Sequence, residues 1–288
     1  MRFVSFFAGD GVHLGVETES GVVADLTAAG GDGVPRSARE LVSGGGDALA
    51  RVRARLAAGA PTLPLDGLEL APCVPEPPKI ICVGLNYRRH AEESGIPVPE
   101  HPVYFPKYRN GLAGHGGKVA IPAATSQVDY EVELVAVMGG PVRNVTAARA
   151  LDHVFGYATG NDLSARELQM RSSQWTYGKA LDGFAPLGPY LVTADEVPDP
   201  QDLDLRTWVN GELRQKSSTR DMVFSVAELV ADLSRVMTLE PGDLIYTGTP
   251  EGVVLGMEEK VWLKAGDQVV CEVGGLGRLE TTLVDENG

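Results

Sequence analysis

The chain has 288 residues, is 43% hydrophobic and carries a formal net charge of −14. This length and composition suit one large domain, or one large and one small domain, each with a buried core, and they argue against disorder. The acidic charge, with no cluster of lysine or arginine, argues against a nucleic-acid partner. We recognise no secretory leader and no run of about 18 apolar residues that could span a membrane, so we expect a soluble, cytoplasmic protein.

The first seventy or so residues predict a small α/β unit. Two strand patterns, MRFVSFFA and HLGVETESGVVADL, precede a helical pattern, SARELVSGGGDALARVRARLAAG, which the glycines at 44 to 46 interrupt. Prolines at positions 72, 75, 77 and 78 then exclude both a continued helix and a central strand. We therefore place a boundary between a small N-terminal domain, residues 1–71, and a larger domain, residues 72–288.

The larger domain is dominated by short strand patterns that glycine or proline separates. Its helical patterns are few, chiefly YRRHAEESG, SARELQMRSS and SVAELVADLSRVM. Many strands without a regular alternation of strand and helix favour an antiparallel or mixed β architecture over a doubly wound sheet. The nucleotide-binding patterns GxGxxG and GxxxxGK[ST] are both absent from the sequence.

The cysteines, Cys73, Cys82 and Cys271, are odd in number and lack C-x-x-C spacing. Each of them lies beside apolar residues or proline, which is typical of a buried position. These features argue against a disulfide framework or a zinc site. We predict buried, reduced thiols, in agreement with a cytoplasmic location.

The segment GLNYRRHAEESG, residues 84–95, follows the apolar strand pattern IICVG and has helical spacing. On a helix His90 and Glu93 share one face, so the carboxylate can orient the imidazole as a general base requires. With no nucleophilic serine or cysteine in a recognisable motif, such a pair would activate water. The alternative is an exposed charge pair among the other charges of RRHAEE.

The stretch DYEVELVAV, residues 129–137, predicts a strand with a row of carboxylates on one face. Glu131 and Glu133 would lie roughly 6 to 7 Å apart by strand rise, close enough to share one cation and to repel each other without it. Ligands that offer only oxygen suit Mg²⁺ or Mn²⁺ better than zinc. The alternative is a solvated strand face in an acidic protein.

A third carboxylate, Asp162, ends another apolar strand pattern, VFGYATG. Ser164 followed by Glu167 predicts a capping box that begins a helix immediately afterwards. Asp162 would then lie at a strand-to-helix junction, where proteins commonly present binding groups. Taken alone, a residue in this position is more often just a turn residue.

Six segments occur in an order and spacing that carry a family resemblance. They are GLNYRRHAEE, PVYFPKYRNGLAGHG, DYEVELVAVMG, GNDLSARELQ, QWTYGKALDGFAPLGPYLVT and LEPGDLIYTGTPEGVVLG. Together they resemble the fumarylacetoacetate hydrolase family, in the branch of bacterial acylpyruvases and 2-hydroxyhepta-2,4-diene-1,7-dioate isomerases. The resemblance covers roughly residues 72 to 285. It implies a mixed α/β, β-dominated fold, a twisted β-sandwich-like roll behind a small N-terminal α/β domain, and a homodimer.

The resemblance also implies a metal centre and a water-activating pair. Glu131, Glu133 and Asp162 match the family's metal ligands, which hold Mg²⁺ or Mn²⁺. His90 and Glu93 match the dyad that activates water in the hydrolytic members. Residues 72–288 would accordingly form the catalytic domain.

Further polar residues match positions that contact the substrate. Lys179 matches the lysine that approaches the substrate's oxygens, and we expect it to stabilise an oxyanion. Arg166 and Gln169 match polar groups on the helix after the metal aspartate, and Thr249 matches a substrate-contacting threonine. Lys107 aligns with a family lysine, although a lysine at a strand end is ordinarily a solvated charge.

The implied activity is hydrolysis of a carbon–carbon bond in an acylpyruvate-like or fumarylacetoacetate-like 2-oxo acid. The same site could instead decarboxylate oxaloacetate-like acids or isomerise an enol and a ketone. A noncatalytic binding protein is the alternative of another class.

The chain departs from the family pattern after FPK, where it has Tyr108, Arg109 and Asn110, and again at His115 in a glycine-rich turn. We expect these four positions near the acyl pocket, where they would alter the choice of substrate tail.

Overall fold

The structure, a computed structural model, describes residues 1–95 and 97–286. The strands are β1 Arg2–Ala8, β2 Gly11–Glu19, β3 Val22–Asp25, β4 Thr62–Pro64, β5 Ile80–Gly84, β6 Val103–Lys107, β7 Leu112–Ala113, β8 Gly117–Ile121, β9 Val128–Asp129, β10 Val132–Met138, β11 Val154–Asn161, β12 Ser164–Ala165, β13 Ala185–Pro186, β14 Leu191–Thr193, β15 Asp204–Val209, β16 Glu212–Ser218, β17 Leu244–Tyr246, β18 Gln268–Val273 and β19 Gly277–Asp285. The helices are α1 Leu26–Ala29, α2 Ala38–Ala57, α3 Arg88–Glu93, α4 Ala147–Ala150, α5 Arg166–Gln169, α6 Thr176–Lys179 and α7 Val226–Val236.

The strands form two large sheets. A ten-stranded sheet has the order β4-β3-β2-β1-β14-β11-β10-β17-β5-β6, and a five-stranded sheet has the order β16-β15-β18-β19-β8. Most neighbours are antiparallel, but β17 pairs with β5 and β19 pairs with β8 in parallel. Strands β10 and β11 of the first sheet pack against the second sheet. The prediction of a β-dominated mixed α/β fold with packed sheets is confirmed.

Strand β10 is buried on both faces. Its alternate residues Leu134 and Ala136 belong to the apolar cluster between the two sheets, whereas Val135 and Val137 belong to a second cluster on the opposite face. This alternation follows from the two-residue period of a strand. Glu133 shares the face of Val135 and Val137, so its carboxylate continues an apolar row.

The N-terminal strands extend the ten-stranded sheet, because Phe3 of β1 pairs with Leu191 of β14. Phe3 also belongs to the apolar cluster that contains Ile80 and Cys82 of the larger predicted domain. The boundary at residue 71 stays a prediction.

Helix α2 is kinked at Gly45, whose backbone angles are φ 51° and ψ −132°, as the glycine interruption predicts.

The predicted capping box at Ser164 and Glu167 is wrong. Ser164 lies in β12, which pairs with β9, and its hydroxyl donates to the Asp162 carbonyl at 2.9 Å. Glu167 instead accepts from the Ser126 N–H at 2.6 Å. Helix α5 begins only at Arg166 and has no side-chain cap. Pairing between strands therefore takes the serine away from the helix terminus.

The three cysteines are buried and unpaired, as predicted. Burial raises the pKa of Cys73 and of Cys271 to about 12, which makes both thiols poor nucleophiles.

In the described ranges, no helix combines the length and the apolar character that a membrane crossing requires.

Candidate active site

Three buried carboxylates converge. Glu131, Glu133 and Asp162 each offer one oxygen such that all three oxygens lie within 4.8 Å of one another. Glu133 lies in β10, Glu131 lies just before it, and Asp162 directly follows β11. The three predicted metal ligands therefore occupy one place.

The antiparallel register of β10 and β11 brings Asp162 to the glutamates. Val132 pairs with Asn161, so the next residue outward on each strand, Glu131 or Asp162, faces the other. The Asp162 N–H donates to the Glu131 carbonyl at 2.9 Å, and the Asn161 side-chain oxygen accepts from the Glu131 N–H at 3.0 Å. Residues about thirty positions apart are thus fixed by strand pairing.

Two buried lysines pair with these carboxylates. Lys179 Nζ lies 2.7 Å from Glu131 Oε2 and 2.8 Å from Asp162 Oδ2. Lys107 Nζ lies 2.6 Å from Asp162 Oδ1 and donates to the Leu163 carbonyl at 2.9 Å. The Lys107 side chain has no exposed surface, so its interpretation as an ordinary solvated charge is wrong. The turn after β11 encloses it, because Leu163 and Asp162 supply its partners.

Arg166 joins the three convergent carboxylates to a fourth buried acid. Its guanidinium lies 2.7 Å from Glu131 Oε1 and 2.8 Å from Asp129 Oδ2, and it donates to the Gln169 side-chain oxygen at 2.9 Å. Asp129 also accepts from the N–H groups of Val254 and Leu255 at 2.9 and 3.0 Å. Asp129 therefore holds both Arg166 and the segment that follows β17.

The buried charges do not balance. Four carboxylates face three cations, and these are Asp129, Glu131, Glu133 and Asp162 against Lys107, Arg166 and Lys179. Burial would raise the pKa of Glu131, but the charges of Lys179 and Arg166 outweigh it and hold that pKa at about 2. Burial, with the charges of Asp162 and Glu131, raises the pKa of Glu133 well above its usual value. Without a further cation Glu133 therefore favours its neutral, protonated form, because its carboxylate has no cationic partner in the described residues.

The donor set fits a hard divalent cation. Glu133 accepts the Gly248 N–H at 2.8 Å, and no lysine, arginine or histidine of residues 1–95 and 97–286 forms an ion pair with it. All three convergent groups offer only oxygen, which Mg²⁺ and Mn²⁺ prefer. A divalent ion held by Glu131, Glu133 and Asp162 would compensate the charge of ionised Glu133.

His90 and Glu93 lie on α3, as the spacing predicts. His90 is buried, so the pair is not simply an exposed charge pair. His90 Nδ1 lies 3.5 Å from Glu93 Oε2, and it has no hydrogen-bond partner in the described chain. Glu93 accepts from the Gly252 N–H at 3.1 Å. A Cβ at Gly256 would lie 2.4 Å from Glu93 Cδ, so a larger residue at this position would displace the Glu93 carboxylate.

One cavity of about 460 Å³ joins these groups. Eight of the nine predicted site residues line it, namely His90, Glu93, Glu131, Glu133, Arg166, Gln169, Lys179 and Thr249. The ninth, Asp162, is fully buried and reaches the cavity through its ion pair with Lys179. Apolar side chains, including Phe105, Met170 and Trp175, complete the wall. The size and mixed lining are those of a small-molecule site.

The four departures from the family pattern lie elsewhere. None of Tyr108, Arg109, Asn110 and His115 lines this cavity, so their expected place near the acyl pocket is wrong. Strand β6 ends at Lys107, and the chain then turns away through a short 3₁₀ turn, Arg109–Gly111. Asn110 bonds Asp182 at 2.6 Å, and His115 Nδ1 accepts from the Glu280 N–H at 3.2 Å.

Sequence reasoning missed Gln215. Its amide nitrogen donates to Thr249 Oγ1 at 2.9 Å, and its oxygen accepts from the Val132 N–H at 3.1 Å. Gln215 thus links β10 to the segment that carries Thr249. It lies in β16 of the other sheet, and nothing in its local sequence signals this contact.

Comparison with known proteins identifies the family. Residues 79–284 match the profile of the C-terminal domain of fumarylacetoacetate (FAA) hydrolase. The chain belongs to the fumarylacetoacetate hydrolase family.

Relatives in this family align over nearly the whole chain. A Burkholderia multivorans protein named as a hydrolase is 47% identical over 267 residues, which are 91% of this chain and 92% of the relative. The mitochondrial oxaloacetate tautomerase FAHD2B of Bos taurus is 42% identical over 282 residues, which are 96% of this chain and 90% of the relative. Different reaction names therefore occur among similar fumarylacetoacetate hydrolase family members.

Solved structures of family members have the same fold. Fumarylacetoacetate hydrolase of Exiguobacterium antarcticum has a TM-score of 0.86 at 38% identity, with 99% of this chain and 100% of that chain covered. Maleylpyruvate hydrolase of Sphingobium sp. SYK-6, solved with manganese(II) and pyruvate, has a TM-score of 0.82 at 33% identity, with 99% of each chain covered.

Proposed function

We propose that this fumarylacetoacetate hydrolase family member is a divalent-metal-dependent hydrolase that cleaves a carbon–carbon bond in an acylpyruvate-like or fumarylacetoacetate-like 2-oxo acid. One observation carries the proposal: the convergent carboxylates Glu131 and Glu133 and the His90–Glu93 pair open onto the same cavity. A hydrolase of this kind needs both an electron sink and a base that activates water.

Glu131, Glu133 and Asp162 would hold the ion, Mg²⁺ or Mn²⁺. When bound, the ion supplies Lewis-acid stabilisation of the negative charge that a 2-oxo acid develops as its carbon–carbon bond breaks. The absence of a cationic partner for Glu133 in the described residues supports this assignment, and so does the manganese in the related maleylpyruvate hydrolase. Adding a divalent cation gives the buried cluster a net positive charge, which favours an anionic substrate.

His90 is the proposed general base. It would take a proton from water as the water oxygen bonds to the acyl carbon, and Glu93 would stabilise the imidazolium that results. The carbon–carbon bond then breaks and leaves its electron pair on the 2-oxo acid fragment. His90 returns the proton to this fragment, and the products are a carboxylic acid and a 2-oxo acid.

Three other side chains would orient the substrate and stabilise charge. Lys179 contributes a buried positive charge that favours the oxyanion formed by water attack. Gln169 uses its oxygen to accept from Arg166, which leaves its amide N–H groups as donors for the substrate. Thr249 accepts from Gln215, which leaves its hydroxyl proton as a donor.

A second candidate function is keto–enol tautomerisation of a 2-oxo acid. The 42% identity with oxaloacetate tautomerase over 96% of this chain favours it. His90 would then move a proton between carbon and oxygen without water attack. The two candidates share the metal ligands and the base, and they differ in their products.

A product assay separates the candidates. We expect the purified protein to remove the enol absorbance of one or more small acylpyruvates in Mg²⁺ or Mn²⁺, to yield acid plus pyruvate, and to stop in EDTA. Faster enol–keto exchange of oxaloacetate without cleavage of any substrate would favour tautomerisation. Carbon dioxide plus pyruvate would indicate decarboxylation. Silence across the panel would contradict an enzymatic role on these substrates.

A variant pair tests the metal ligands. Glu131→Gln keeps the size of the side chain but removes a ligand charge, so we expect metal affinity and turnover to fall by about 100-fold or more. Glu258→Gln removes an exposed charge and should match the wild type. Mn²⁺ titration calorimetry and turnover measure both effects, with circular dichroism as the control for folding. Unchanged Mn²⁺ affinity in folded Glu131→Gln would refute the assignment.

A further inference from the structure

The cavity contains three lysine or arginine side chains, Arg166, Lys179 and Lys260. The first two are buried, and carboxylates already compensate their charges. Arg166 pairs with Asp129 and Glu131, and Lys179 pairs with Glu131 and Asp162. Neither of them therefore offers an uncompensated charge to a distant part of a substrate.

Lys260 differs from both. It is exposed, whereas Arg166 and Lys179 are buried, so it lies at the rim of the cavity. Its Nζ donates to the carbonyls of Leu255 and Met257 at 2.8 Å each. Across residues 1–95 and 97–286, no carboxylate forms an ion pair with it, including those of its exposed neighbours Glu258 and Glu259.

The two carbonyl contacts fix the ammonium in position without neutralising it. An ammonium has three N–H donors, so one donor and a full positive charge remain for a ligand. Because Nζ is already held, a ligand that binds it would lose less side-chain freedom on binding than it would with a mobile lysine. In a protein with a net charge of −14, such a cation is the feature of the rim that would attract an anion.

We infer that Lys260 is a specificity-determining residue, which binds a second carboxylate at the end of the substrate remote from Glu131 and Glu133. This inference rests on the proposed function and narrows its substrates to 2-oxo acids with two carboxylates. The buried carboxylates and the metal they would hold take the 2-oxo acid end. Apolar side chains such as Trp175 and Met170 line the cavity that the intervening carbon chain would occupy.

Two acids of equal chain length provide the test. Neither contains the 1,3-dicarbonyl unit that the proposed reaction cleaves, so the binding of each can be measured without turnover. 2-Oxoglutarate ends in a carboxylate, and 2-oxopentanoate ends in a methyl group. Calorimetry in Mn²⁺ would measure the binding of each acid to wild type, Lys260→Gln, Lys260→Arg and Lys216→Gln. Lys216 is an exposed lysine of β16 outside the cavity lining, so its variant controls for the lost charge.

We expect Lys260→Gln to weaken 2-oxoglutarate binding about fivefold to tenfold, as suits a partly exposed charge-assisted contact. Binding of 2-oxopentanoate should change less than about twofold. Lys260→Arg should restore the preference, Lys216→Gln should preserve it, and added salt should reduce it.

Two results would overturn the inference. Equal weakening of both acids would mean that Lys260 only holds the carbonyls of Leu255 and Met257, and absence of any preference in the wild type would remove the second subsite. Cleavage of acylpyruvates without a preference for 2-oxoglutarate over 2-oxopentanoate would contradict the role of Lys260 but leave the proposed hydrolysis intact. Selective binding of 2-oxoglutarate by a protein that cleaves nothing would uphold it and sink hydrolysis.

Discussion

Lys107 carries a positive charge into the interior, where Asp162 and the carbonyls of Leu163 and Phe184 are its partners. Burying a lysine is costly unless each of its donors finds an acceptor. Here those acceptors come from two loops distant in the sequence. Lys107 therefore orients a predicted metal ligand and joins these loops to the end of β6.

Lys107→Met should destabilise the protein. Methionine retains the bulk of the side chain but leaves Asp162 Oδ1 without its ion pair and two carbonyls without a donor, so we expect a loss of about 3 to 5 kcal/mol. Lys118→Met, at an exposed position of β8, should change stability by less than about 0.5 kcal/mol. Urea unfolding measures both variants. Similar losses in the two would contradict the role of Lys107.

His13 predicts a pH-dependent contribution to stability. Its ring nitrogens lie 2.8 Å from Asp25 Oδ2 and 2.8 Å from Asp10 Oδ1. Burial would lower the pKa of His13, but the two carboxylates outweigh burial and raise it above its usual 6.5. The folded state therefore binds the proton more tightly than the unfolded chain. This contribution is complete below about pH 6.5 and is lost as the pH rises through the folded pKa.

Comparison of wild type with His13→Gln tests this expectation. The difference in free energy of unfolding should be largest near pH 5.5 and should shrink steadily towards pH 9. Urea unfolding at half-unit steps of pH provides the curve. A difference that grows with pH would show that the imidazole binds in its neutral form.

Individual site residues differed in how far the sequence could predict them. Glu131 and Glu133 could be predicted from the sequence because an i,i+2 pair is a local pattern. The motif around Asp162 supplied the third predicted ligand. The burial of Lys107 could not be predicted from the sequence, because it depends on loops more than fifty residues away along the chain. The partnership of Gln215 with Val132 likewise requires two sheets to pack.

At the scale of elements, α2 shows how one glycine shapes a helix. Gly45 adopts φ 51° and ψ −132°, a backbone conformation that side chains with a Cβ rarely adopt. Its neighbour Gly46 has no such angle, and a Cβ there would meet no atom within 4 Å. The two adjacent glycines should therefore respond oppositely to the same substitution.

Gly45→Ala should destabilise the protein by about 1 to 2 kcal/mol, because alanine is strained in that conformation. Gly46→Ala should be neutral, or stabilising by up to about 1 kcal/mol, because alanine favours helix. Thermal unfolding compares the pair. A stabilising Gly45→Ala would show that the two parts of α2 can join into one straight helix.

The existence of an element was easier to predict than the residue at which it begins. Helix α7 was predicted from its helical pattern, and the structure adds a capping box of Ser225 and Glu228 at its start. Helix α5 has only four residues, so local signals compete poorly with strand pairing. Ser164 illustrates this competition, because β12 claims the residue that the pattern assigns to a helix cap.

At the scale of the whole molecule, apolar packing crosses the predicted boundary at residue 71. Phe3 and Leu14 belong to the cluster of Ile80 and Cys82, and Phe6 belongs to the cluster that contains Leu134. Local sequence marks the proline-rich segment as a boundary but cannot reveal that strands from both sides pair. Continuity of the sheet is a property of the folded molecule.

Removal of residues 1–71 should therefore impair folding of the remainder. The deletion uncovers the β14 edge and the apolar surface beneath β1, and both features promote aggregation. We expect residues 72–288 alone to aggregate, or to melt at least about 10 °C below the full chain. Size-exclusion chromatography and thermal unfolding provide the measurements. A monodisperse fragment with an unchanged transition would instead support two independent domains.

Strand β10, which carries Glu133, has β11 on one side and β17 on the other, deep within the ten-stranded sheet. Such a strand has no free edge from which to fray. An ion bound at Glu133 would then enter and leave through the cavity, past the Lys260 side chain that two carbonyl contacts hold at its rim. The residence time of the ion would therefore depend on the side chains at the cavity rim and on whether a ligand fills the cavity. It would not depend on local opening of the backbone of β10.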